Sequence, residues 1–116
     1  MGQTAPGGWR AVPQTPYDQP MKPSERLQLH RQAIREIVRR HRAADVRVFG
    51  SVLSGQDSED SDLDLLVDPT PQTSLLDLGA IQFELSELLG IPVDVLTPNA
   101  LPDHFRQQVL RDARPV

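Results

Sequence analysis

Helical and extended periodicities alternate along the 116-residue chain in the order α-β-β-α-β-α, which predicts an α+β fold: a small mixed sheet of three or more strands covered by helices. Three observations carry that expectation. Apolar residues recur at helical spacing through residues 24–42 and 74–89. Short runs rich in valine and leucine mark residues 46–49, 63–67 and 93–96. Gly, Pro and Asp cluster between these segments, where turns belong. The length suits a single small domain.

Residues 1–23 are rich in Pro, Gly and Gln and hold few apolar side chains. They can bury too little surface to offset the entropy of ordering, so a flexible N-terminal tail is expected, with the folded domain over residues 24–116. Ser24, after Pro23, is the expected N-cap of a helix running to about Arg42. Leu27, Ile34, Ile37, Val38 and His41 lie on one side of it and arginines on the other. Residues 46–49 read as a short buried strand ended by Gly50-Ser51. A brief helical turn is expected over 51–54, broken by Gly55.

An acidic loop spans 56–61, and residues 63–67 form the second strand. Pro69 and Pro71 mark its exit. The helix over 74–89 carries Leu75, Leu78, Ile81, Leu85 and Leu88 as an apolar stripe. Ser74 and Asp77 have capping-box spacing, and Gly90 stands where a C′ glycine belongs. Pro92 leads into a third strand at 93–96. A last helix from about Pro102 to Asp112 places Phe105, Val109 and Ala113 on one side.

Composition removes several functions. Cysteine is absent, which excludes disulfides, thiolate zinc sites and a cysteine nucleophile. No apolar run approaches the roughly 20 residues of a membrane span, and the N-terminus lacks a signal-peptide core, so a cytoplasmic location is expected. A net charge of −4 argues against electrostatic binding of nucleic acid. The charge is uneven: arginines crowd residues 26–47, while Asp57, Glu59, Asp60, Asp62, Asp64 and Asp68 form an acidic block that cations would relieve. His30, His41 and His104 share no ligand spacing and are expected to be ordinary helix residues.

The chemistry is concentrated in Gly50-Ser51 and, further on, Asp62-Leu63-Asp64-Leu65-Leu66-Val67. Side chains at i and i+2 of a strand share a face, so Asp62 and Asp64 project together. Mg²⁺ takes oxygen ligands at about 2.0–2.1 Å and completes its shell with water and phosphate oxygens. The pattern points to a site for a metal-bound nucleoside triphosphate. Asp94 stands between Val93 and Val95; if its strand lies beside 63–67, it shares a face with the other two acids. Neither a P-loop nor an EF-hand explains the segment: Gln56-Asp57 replaces the Lys-Ser/Thr of the former, and Leu65 and Pro71 occupy the glycine and glutamate positions of the latter.

Gly50-Ser51, Gly55, the 61–67 run and Val93-Asp94-Val95 together resemble the minimal nucleotidyltransferases of the DNA polymerase β-like superfamily, particularly the MntA-type antitoxins that oppose HEPN-domain toxins. The resemblance covers about residues 25–116 and implies a nucleotidyltransferase-like fold. It implies that Asp62, Asp64 and Asp94 are catalytic and hold two Mg²⁺ ions, and that Gly50 and Ser51 cradle the triphosphate of ATP. It also implies transfer of AMP to a tyrosine of a cognate HEPN toxin, in a hetero-oligomer with that toxin. In one respect the chain departs from the pattern. Val52-Leu53-Ser54 stand where relatives carry basic residues, so the leaving pyrophosphate needs the metals, a distant arginine such as Arg47, or a partner chain. Nucleotidyl transfer to a small molecule or RNA, and a binding-only antitoxin without catalysis, are the alternatives.

Overall fold

A computed structural model describes residues 21–116; residues 1–20 of the expected tail lie outside the described residues. The elements are α1 (Pro23–Leu29), α2 (Arg31–Arg40), β1 (Ala43–Phe49), α3 (Ser51–Ser54), β2 (Leu63–Pro69), α4 (Leu75–Leu89), β3 (Val93–Leu96), α5 (Asp103–Asp112) and β4 (Arg114–Pro115), with a 3₁₀ turn at Pro98–Ala100. The sheet has the order β3-β2-β1-β4. β1 runs antiparallel to both β2 and β4, whereas β2 and β3 are parallel. A parallel pair needs a crossover, and α4 supplies it.

The expected helix over 24–42 is two helices. His30 leaves helical geometry at φ −115°, ψ 21°, between α1 and α2. No Pro or Gly marks the break, because its cause is tertiary. α1 is pinned from outside: the Ser24 amide donates to Asp57 Oδ2 at 3.0 Å, and Arg26 Nη1 donates to the Leu89 carbonyl at 2.7 Å. Ser24 is therefore not the N-cap. Lys22 holds that position, and its amide donates to Glu25 Oε1 at 2.8 Å. Asp57, only 8% exposed, satisfies a helix-terminal N–H from a distant loop.

His41 also differs from its expected plain role. It ends α2 with Nε2 2.6 Å from Glu84 Oε2 and Nδ1 3.7 Å from Asp77 Oδ1. Arg40 pairs with Glu84, and Arg42 Nη1 reaches Asp77 Oδ1 at 3.1 Å, so the end of α2 is clamped to α4. Beyond it, β1 starts earlier than its apolar run and carries a bulge between Ala44 and Arg47, where Asp45 adopts φ 51°.

α4 has the expected caps: Ser74 accepts from the Asp77 amide, Asp77 accepts from the Ser74 amide, and Gly90 closes the helix at φ 70°. Its stripe is shorter than expected. Ile81 and Leu85 are buried, but Leu75 is 86% exposed and takes no part in the core. The core joins Leu27, Ile34 and Val38 to Leu63, Leu65 and Val67 of β2, with Ile81, Leu85, Leu89 and Val93. By strand alternation Asp64 and Leu66 face the other side of the sheet from Leu63, Leu65 and Val67. β4 was not foreseen: two residues carry no period, and it exists because Val48 and Arg47 offer a free edge.

Replacing Asp57 by Ala is expected to cost about 1–2 kcal/mol in urea unfolding, with Asp57→Asn recovering most of it because its amide oxygen still accepts. The Asp77 carboxyl is held low by the Ser74 amide first and Arg42 further down, and the Glu84 carboxyl by His41 first and then Arg40. Depressed folded-state values mean the unfolded chain takes up protons first as pH falls. Stability is thus expected to be full above the ordinary carboxylate range and to fall below about pH 4, a decline that Glu84→Gln makes shallower in thermal melts.

Candidate active site

The parallel register of β2 and β3 pairs Leu63 with Val93, Asp64 with Asp94 and Leu65 with Val95. Val93 and Leu63 bury on one face, so Asp64 and Asp94 stand side by side on the other. Asp62 lies just before β2 and is exposed, as is Asp94; Asp64 is partly buried between them. The Asp64 carboxyl is pushed up from its ordinary value, first by burial, then by the charge of Asp94, then by that of Asp62. The charges of Asp62 and Asp94 thus both reach Asp64. Among the described residues no group of three or more His, Cys, Asp or Glu side chains is placed to hold a metal ion.

Gly50 presses against the same spot. It adopts φ 81°, ψ −149°, and a Cβ built on it would lie 2.5 Å from Asp64 Oδ2. A side chain here is disfavoured by the backbone conformation and would also require the Asp64 carboxylate to shift. Ser51 follows as the first residue of α3, a single turn in which the Ser54 amide donates to the Gly50 carbonyl at 3.1 Å. Gly55 closes it in the left-handed conformation at φ 78°, with open space around it.

Two expectations about the surrounding charge are corrected. Arg47 is not free to reach a leaving group: its Nη2 lies 2.6 Å from Asp68 Oδ1 and its Nε donates to the Asp45 carbonyl at 3.0 Å. The acidic block is not uniformly unsatisfied either, since Asp57 caps α1 and Asp68 holds Arg47. The acids left around the site are those expected to bind metal, with Glu59 and Asp60 on the loop beside them.

Sequence reading missed a cleft beside Gly50. It is lined by Phe49, Leu53 and Ser54 on one side and by Phe105, Gln108 and Val109 on the other, with Asp112 and Arg114 at its end. No local signal marks it, because α5 is placed by Arg106, which donates to the Pro98 and Leu101 carbonyls at 2.9 and 2.7 Å, and by the pairing of β4 with β1.

A family profile described as "Nucleotidyltransferase domain" matches residues 30–116. A candidate protein adenylyltransferase of Methanocaldococcus jannaschii is 38% identical over 77 residues, covering 66% of this chain and 83% of the relative. The protein adenylyltransferase MntA of Thermococcus cleftensis is 36% identical over 86 residues, covering 74% and 84%. Among solved structures, a candidate minimal nucleotidyltransferase superposes with a TM-score of 0.73 at 44% identity, over 80% of this chain and 95% of that one. A toxin–antitoxin complex with AMP-PNP shares the fold, with a TM-score of 0.59 at 20% identity over 69% and 66%.

The two glycines make unequal predictions. Gly55→Ala is expected to cost about 1 kcal/mol, the penalty of a left-handed residue alone. Gly50→Ala should cost more, about 2–3 kcal/mol, because it must also displace Asp64. Denaturant midpoints of the two variants measure the difference.

Proposed function

The chain belongs to the nucleotidyltransferase domain family, and on that premise we propose that it transfers AMP from ATP, with Mg²⁺, to a tyrosine of a cognate HEPN-domain toxin and acts as its antitoxin. The observation that carries this reading is the register of β2 and β3, which sets Asp94 beside Asp64 with Gly50 packed on the same carboxylate. Adenylyltransferase relatives at 36–38% identity support the choice of AMP and of a protein acceptor. The catalytic unit in this reading runs over residues 24–116, and a hetero-oligomer with the toxin is its working form.

The donor set suits Mg²⁺. It consists of carboxylate oxygens only, and burial first, then the charges of Asp94 and Asp62, already disfavour the ionised form of Asp64. Asp62, Asp64 and Asp94 would hold two such ions. Three protein carboxylates would leave coordination positions for water and phosphate oxygens. When bound, the ions neutralise charge on the attacking and leaving oxygens of an in-line displacement.

The remaining work falls to the chain itself. Gly50, without a side chain, lets a polyphosphate approach the backbone beside Asp64, and Ser51 offers a hydroxyl and an amide N–H at the start of α3. The acceptor tyrosine gives up its hydroxyl proton to solvent, its oxygen attacks the α-phosphorus, the bond to the bridging oxygen breaks, and pyrophosphate leaves. Asp62 and Asp94 are exposed, so the acceptor protein approaches over an open surface and excludes water as it closes it.

Incubation with Mg²⁺, ATP and the toxin encoded beside it should add the mass of one or more AMP groups to the toxin, on tyrosine. Asp64→Asn should lower the rate at least a hundredfold while leaving the fold intact. Toxin neutralised without a mass change would mean masking by contact, and labelling of a small molecule or RNA alone would reassign the acceptor.

A further inference from the structure

The cleft beside Gly50 has a volume of about 730 Å³, within the range of small-ligand sites. Two of its walls are shared with the aspartate cluster. Gly50 touches Asp64, and Phe49 is the cross-strand partner of Asp64 in the β1–β2 register. Residues so paired share a face with Cβ atoms about 4.5–5.5 Å apart, so cleft and carboxylates form one continuous surface. The opposite wall belongs to α5, where Phe105 is 38% exposed and meets the His104 ring edge-on at 4.9 Å.

We propose that this cleft is the nucleoside subsite, taking the base and ribose of the triphosphate between the Phe49–Leu53 wall and Phe105–Val109 of α5. The assignment rests on the reading under Proposed function and extends it to where the uncharged half of the substrate lies. The chemistry divides the ligand. Phosphates belong at the cation-loaded acids and at Gly50-Ser51. Phe49, Leu53, Phe105 and Val109 give a base an aromatic and aliphatic face, its π-face stacking on Phe105. Ser54, Gln108, Asp112 and Arg114 offer polar partners to its edge and to the ribose. Base–aromatic stacking makes Phe105 a binding residue with a measurable share of the affinity.

Calorimetry with Mg²⁺ and either a non-hydrolysable ATP analogue or tripolyphosphate separates the two halves. Phe105→Ala is expected to weaken the analogue about tenfold and to leave tripolyphosphate unchanged. Phe105→Trp, which keeps an aromatic face, should restore analogue binding. An unchanged analogue affinity in Phe105→Ala would overturn the subsite, as would a parallel loss of tripolyphosphate, which would mean that Phe105 only supports the fold. If the wild-type chain binds neither ligand, the nucleotidyl-transfer reading fails and the subsite falls with it. If it binds both and only the Phe105 result is null, the subsite alone is wrong.

Discussion

Two like charges forced together by a parallel strand pair govern this molecule. Asp64 and Asp94 are direct neighbours across β2 and β3, an arrangement that costs stability when no counter-charge is present. The sheet holds them because the alternate residues bury: Leu63, Leu65 and Val67 are fully enclosed and Val93 nearly so. Slipping the register by one residue would turn that apolar set to the outer face, so the core fixes where the acids stand. Packing thus maintains a repulsion between Asp64 and Asp94.

The elements around this pair serve the same end. Gly50 gives way so that Asp64 has room, and α3 begins at the next residue, which puts an amide and a hydroxyl where a polyphosphate could meet them. Asp57 ties the acidic loop to the first turn of α1, which fixes one end of the segment leading to Asp62. Arg47 is held by Asp68 and so is not turned toward the acidic cluster.

Much of this was legible in the sequence because it depends on local periodicity. The alternation around Asp94, the Ser74–Asp77 cap and the Gly90 stop each rest on residues close together in the chain. What escaped was set by distant contacts. The break at His30 follows from Asp57 and Leu89 gripping α1, and β4 exists only because β1 has an open edge. Leu75 fits a helical stripe by spacing yet lies beyond the edge of the core. Gly50 was readable as a turn; that its missing Cβ makes room for Asp64 required the fold.

The repulsion itself can be measured. Chemical denaturation of the wild-type chain and Asp94→Asn, each with and without Mg²⁺ and a non-hydrolysable ATP analogue, compares the pair in both states. Without ligand, Asp94→Asn should be more stable than wild type by about 0.2–1 kcal/mol, and with ligand the wild type should gain stability that the variant does not. Equal stability without ligand, together with an equal gain on adding it, would show that the two aspartates neither repel each other nor share a metal.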